Sequence, residues 1–117
     1  MQSVRSLHDE AMELAQLALV ARHTGDQERA AALALEAFGR EAQAAGLVPE
    51  GVDSEPTRSI LYRSAAWLAL QANLPDEAVR LAEQGLAGSP PPEIAAELEE
   101  ALATACVSAQ AHMEKAG

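Results

Sequence analysis

Between Ser6 and Thr24 apolar residues recur at Leu7, Ala11, Leu14, Ala15, Ala18 and Ala21, with Leu17 on the same side. Spacing of three and four residues follows one face of a helix with about 3.6 residues per turn, so this stretch predicts a first helix. Ser6 with Asp9 three residues on resembles an amino-terminal capping arrangement, and Gly25 suits the left-handed residue that ends a helix. Asp26 then caps a second helix, which runs from Gln27 to about residue 45 through Ala30, Leu33, Ala34, Ala37 and Phe38 and stops at Gly46. Two long helices joined by Thr24-Gly25-Asp26 have to fold back on each other.

The stretch GLVPEGVDSEP, residues 46–56, holds two glycines and two prolines and reads as a loop longer than the usual connection. A third helix begins at Ser54 or Thr57, presents Leu61, Tyr62, Ala65, Ala66 and Ala69 on one face, and ends near Asn73. Pro75 fits the first turn of a fourth helix, where its missing amide hydrogen has no helical acceptor. That helix buries Ala78, Leu81, Ala82 and Gly85 and stops at Gly88. Ser89-Pro90-Pro91-Pro92 forbids continued helix, and Ile94, Leu98, Ala101, Leu102 and Ala105 mark a fifth helix over 92–113 that frays beyond Ala109.

The pattern repeats. Leu14, Leu17, Ala18, Ala21, Ala30, Ala34 and Ala37 stand forty-eight positions before Tyr62, Ala65, Ala66, Ala69, Ala78, Ala82 and Gly85, in register throughout. Each unit carries a bulky residue early in its first helix, small residues at the crossing, a tight turn and spaced small residues in its second helix. This pattern, over residues 11–38 and 59–92, resembles the tetratricopeptide repeat, with Pro90 where that family's repeat-ending proline falls. The resemblance implies an all-α fold of antiparallel helical hairpins wound into a right-handed superhelix of about five helices. One domain over 1–117 is expected, with unit one at 6–45, a loop at 46–56, unit two at 57–88 and a capping helix at 92–113. The offset exceeds the family's period of roughly 34 residues, and two units fall short of the three or so that stacked repeats need without caps. The segment RSILYRSAAWLALQANLPDEAVRLAEQGLAGSPPPEIAAEL also resembles a stretch of small uncharacterised bacterial proteins.

Composition agrees with helices and thins the core. Of 117 residues, 49% are apolar and mostly alanine and leucine, while Phe38, Tyr62 and Trp67 are the only aromatics. Alanine removes little area from water, so the helices must approach closely. A net charge of -10 opposes nucleic acid and anionic membrane surfaces, so neither is an expected partner. No run of roughly 18 to 20 apolar residues is present to cross a bilayer, and Met1 to Glu10 lacks the basic start and apolar stretch of a signal peptide. A cytoplasmic location is expected. The single cysteine, Cys106, makes no internal disulfide and is expected to be a small core residue.

Chemistry is sparse. His8, His23 and His112 do not share the three- or four-residue spacing of metal ligands on a helix, and they read as solvated helix-end residues. Glu93, Glu97, Glu99 and Glu100 read as an exposed acidic face rather than a catalytic pair. Gly85-Leu86-Ala87-Gly88 ends a helix rather than opening one, so it is no phosphate loop. No enzyme activity, metal or cofactor is expected.

One contrast points to binding. Between Pro56 and Pro75 stand Arg58 and Arg63 and no acidic residue, so the third helix reads as locally basic in an acidic chain. Ile60, Arg63, Trp67 and Gln71 lie at helical spacing on a stripe apart from Tyr62, Ala66 and Ala69. In the tetratricopeptide family the first helix of each unit lines a concave groove. By resemblance this stripe would therefore meet a segment of another protein, flanked by Met12, Leu19 and His23. The carboxylate clamp of chaperone-binding members does not carry over, because Ala15 and Leu19 stand in place of the expected lysine and asparagine. Trp67 and Arg63 are of the types that concentrate binding energy. Equally, Trp67 packs beneath the 48–52 loop or against the fifth helix with Arg63 paired to a surface glutamate, or an apolar face of the third or fifth helix forms a homodimer.

Overall fold

The computed structural model describes residues 2–116, with the side chain of Ala116 left aside. Among them are five α-helices: α1 (Val4–His23), α2 (Gln27–Gly46), α3 (Thr57–Gln71), α4 (Pro75–Leu86) and α5 (Pro92–Ala116). A short 3-10 turn, Val52–Ser54, lies in the loop before α3. The all-helical reading of the sequence therefore holds, with three boundaries moved. Ser3, one turn before Ser6, caps α1 by accepting the Ser6 amide at 3.1 Å. The third helix stops at Gln71 rather than near Asn73. Beyond Pro92 no glycine or proline interrupts α5, whose alanines, glutamates and glutamine favour helix, so it continues past Ala109 to Ala116.

The repeat recurs in the turns at the level of single hydrogen bonds. Gly25 sits at φ 84° and Asn73, its counterpart, at φ 63°. After the first, Asp26 donates its amide to the Ala21 carbonyl; after the second, Leu74 donates to Ala69, both at 2.9 Å. These are the long bonds that close a helix through a left-handed residue, and asparagine is the side chain that best replaces glycine there. Asp26 additionally accepts the Arg29 amide and so starts α2 as the sequence predicts.

Side-chain pairs orient the helices. His8 meets Glu41 and Glu10 meets Arg40, so the start of α1 lies against the end of α2. Gly85, near the end of α4, abuts Tyr62 early in α3 and Leu98 early in α5. Arg63 of α3 pairs with Glu97 of α5, and Arg22 of α1 donates to Gln71 of α3 at 3.1 Å. Consecutive helices thus alternate in direction, and α1, α3 and α5 run side by side the same way. The shortest molecular extent, 24 Å, matches two layers of helices about 10 to 12 Å thick.

The core is thin, as the alanine content predicts. Leu7, Leu81 and Leu98 are the large apolar side chains fully buried among the described residues, with Leu61, Leu68 and Tyr62 nearly so; Ala11, Ala18, Ala34, Ala65, Ala69 and Ala82 fill most of the remaining contact. Cys106 departs from expectation. It is exposed, because the buried stripe of α5 passes through Leu98, Ala101 and Ala105 and leaves the next residue on the outer side.

Arg58 departs further. It is 4% exposed, its guanidinium stacked 4.7 Å from the centre of the Tyr62 ring and its Nη2 3.5 Å from Glu50. Beside it the Glu55 carboxylate accepts the Ser59 amide at 3.1 Å and the Ser89 amide at 3.2 Å, tying the 46–56 loop to the link after α4. A Cβ on Gly88 would clash with Arg58 Nη1. Since that guanidinium is enclosed, Gly88→Ala is expected to lower stability by about 1 to 2 kcal/mol in a urea melt. An unchanged midpoint would mean that Arg58 swings out freely. With Arg58 buried and Arg63 paired, α3 is not the locally basic surface that its composition suggests.

Candidate functional site

A hollow lies between the amino-terminal halves of α1 and α3. It measures about 520 Å³ and is lined by Val4, Arg5, His8 and Asp9 from α1 and by Thr57, Ile60 and Leu61 from α3. Its walls are mainly apolar, with Arg5, His8 and Asp9 at the edge. A second hollow along α1, between Ser3 and Glu13, belongs to that helix alone and is lined by polar side chains.

Helical spacing continues, beyond the hollow, the two helix faces that line it. On α1, Met12 follows His8 by four residues, Leu19 follows Met12 by seven and His23 follows Leu19 by four; Met12 and Leu19 are 37% and 40% exposed. On α3, Trp67 follows Ile60 by seven and Gln71 follows Trp67 by four. The Arg22–Gln71 hydrogen bond closes the far end. Of the seven residues singled out from sequence, Ile60 lines the hollow; by spacing, Met12, Leu19 and His23 continue the α1 face that carries His8, and Trp67 and Gln71 the α3 face that carries Ile60.

Arg63 is the exception. It turns to α5 and pairs with Glu97, the surface-glutamate arrangement weighed above. Trp67 is half-buried and packs against the core cluster that includes Leu61, Ala65 and Ala69. It therefore contributes to packing while part of the ring stays open.

His8, in the wall of the hollow, belongs to a pair that the sequence reading missed. His8 Nδ1 lies 2.9 and 3.1 Å from the two oxygens of Glu41, and the Glu41 side chain is wholly buried while that of His8 is 36% exposed. His8 is thus no solvated helix-end residue. Burial pushes the Glu41 carboxyl above its ordinary value; the bond and charge of His8 and the Ser64 hydroxyl on α3 pull the other way without offsetting it. The pair joins α1, α2 and α3 at one point. A signal was present: Glu41 continues the stripe Ala30, Ala34, Ala37 that faces the core, where a carboxylate has to find a partner.

Fold and site together define a class: an all-helical protein of antiparallel hairpins whose seam between two co-directional helices holds an apolar hollow with a buried acid and a histidine at its wall. No family model, curated protein or solved structure matches the chain. Among the described residues no helix is long and apolar enough to cross a membrane, and no three His, Cys, Asp or Glu side chains converge as a metal site would require.

Proposed function

We propose that the protein is a non-enzymatic interaction module of tetratricopeptide-like build, receiving an extended segment of another protein in the α1–α3 crevice. The observation that carries this reading is the apolar hollow of Val4, Ile60 and Leu61, with Met12, Leu19 and Trp67 following at helical spacing along the same two helices. The repeated turn and the shared direction of α1, α3 and α5 support the architecture. The occupant is a segment with an apolar side chain for the hollow and basic flanks, since the chain carries -10 overall and exposes Glu93, Glu97, Glu99 and Glu100 on α5. His23 and Gln71 bound its far end.

Selection of binders from a displayed random-peptide library supplies a defined probe. Ile60→Asp is expected to weaken the selected peptide at least tenfold, with helicity retained, whereas Leu35→Asp, exposed on α2, leaves affinity unchanged. Trp67→Ala is expected to lower both affinity and stability, the latter by about 2 kcal/mol because the ring is only half-buried. Equal binding by the Ile60→Asp protein would remove the crevice from the account. A homodimer without a separate ligand is the rival reading, favoured by exposed Leu17 and Val20, one turn apart on α1. A sedimentation mass of one chain at high micromolar concentration would eliminate it.

A further inference from the structure

The His8–Glu41 pair belongs to no requirement of the fold that an apolar pair could not meet, and His8 stands in the wall of the hollow between α1 and α3. We propose that occupation of the α1–α3 crevice is proton-gated: the segment binds the state in which His8 and Glu41 together hold one proton, and is released from the state in which they hold none. This rests on the crevice being the partner site and adds its regulation.

Both oxygens of Glu41 face one imidazole nitrogen, and the carboxylate is shut off from water. With one proton shared between them the pair is neutral overall, wherever the proton resides. Without it, a buried carboxylate faces a neutral ring. The open side of His8 lines the hollow, so the water nearest that carboxylate is the water of the crevice, held off by the imidazole alone. A segment filling the hollow takes this water away. Covering a neutral pair costs little, whereas covering an uncompensated carboxylate costs several-fold in affinity.

Among the described residues no cation other than His8 lies within ion-pair distance of Glu41. On α1, Arg5 and Asp9 share the rim and oppose each other. On α2, Arg40 is turned to Glu10. On α3, the hollow meets Thr57, Ile60 and Leu61, Ser64 is uncharged, Arg58 faces Glu50 and Arg63 faces Glu97. Binding and protonation therefore favour each other, and by linkage affinity falls as pH rises through the pair's loss of its proton.

The test uses the full chain and an uncharged apolar probe, N-phenyl-1-naphthylamine, whose own charge does not change over the range. Its site is mapped from amide shifts of residues 4–9 and 57–61. The dye is expected to bind at least about threefold more weakly at pH 8.5 than at pH 6, with no such difference in Glu41→Gln, or in Glu41→Met should the glutamine variant not fold. Equal affinity at the two pH values, or the same slope in the variant, overturns the gate. A dye that binds elsewhere leaves hydrogen exchange to decide. After correction for intrinsic rates, protection of residues 7–11 is expected to fall at least about threefold over the same range in the wild type and not in Glu41→Gln; a flat wild type overturns the gate as well. Failure of the crevice itself shows separately, as selected-peptide binding that survives Ile60→Asp at every pH.

Discussion

Leu98→Ala is expected to lower stability by about 3 to 4 kcal/mol, a large share of the roughly 5 to 15 kcal/mol that holds a small domain folded. Leu98 is one of three large apolar side chains wholly removed from water, and the alanines around it have no side-chain length with which to fill a cavity. It also sits where α3, α4 and α5 meet. A Cβ on Gly85 would lie 2.8 Å from Leu98 Cδ2 and 3.0 Å from Tyr62 Cβ, so leucine 98 occupies the space that an alanine at 85 would need. Gly85→Ala alone gains about 1 kcal/mol of helix propensity and loses more through overpacking, for a net loss of about 1 to 2 kcal/mol. The two changes oppose each other at one spot. The double variant is therefore expected to be at least about 1 kcal/mol more stable than the sum of the single losses, measured by urea unfolding followed by circular dichroism. Strict additivity would mean that the two residues do not share that space.

The same junction explains why the repeat was legible and its packing was not. Alanine and leucine at helical spacing, Gly25-Asp26 and Pro75 mark helix ends through local chemistry, which a linear chain displays directly. The register of Ala37 with Gly85 was visible too, yet why glycine replaces alanine depends on Leu98, which comes from a third helix. Arg58 illustrates the opposite error. Charge counted along α3 made it a surface cation, but the 46–56 loop and the Ser89 link fold over it, and Tyr62 and Glu50 take its guanidinium. A long loop hides which residues it covers.

The candidate crevice divides likewise. The α1 and α3 stripes were legible because seven-residue spacing fixes a face, and their co-direction follows from two hairpins in sequence. Arg63 lay near the edge of that stripe, and Glu97 on α5 decided which way it turned. His8 and Glu41 lie thirty-three residues apart, so nothing local joins them. Only the register of Glu41 with Ala34 and Ala37 marked it as inward-facing, and its partner depended on how α1 slides along α2.

His8→Ala tests that junction with a sign that depends on pH. Glu41 has a folded-state pKa raised above its ordinary 4.5, so its contribution to stability is fully present below that value and is lost as pH rises through the raised one. In the wild type His8 limits this loss by bond and charge. Removing His8 lifts the opposing influence, moves the folded pKa further up, and leaves a buried carboxylate unmatched at neutral pH. The expected loss relative to wild type is about 3 kcal/mol at pH 7. Near pH 4 the carboxyl is protonated with or without the imidazole, and the loss shrinks to about 1 kcal/mol, the value of one hydrogen bond. Urea melts at the two pH values measure both, and an equal loss at each would show that His8 acts through packing alone. Adding Glu41→Met to His8→Ala removes the stranded charge and is expected to restore most of the neutral-pH stability, since a thioether of similar volume leaves nothing buried and unpaired.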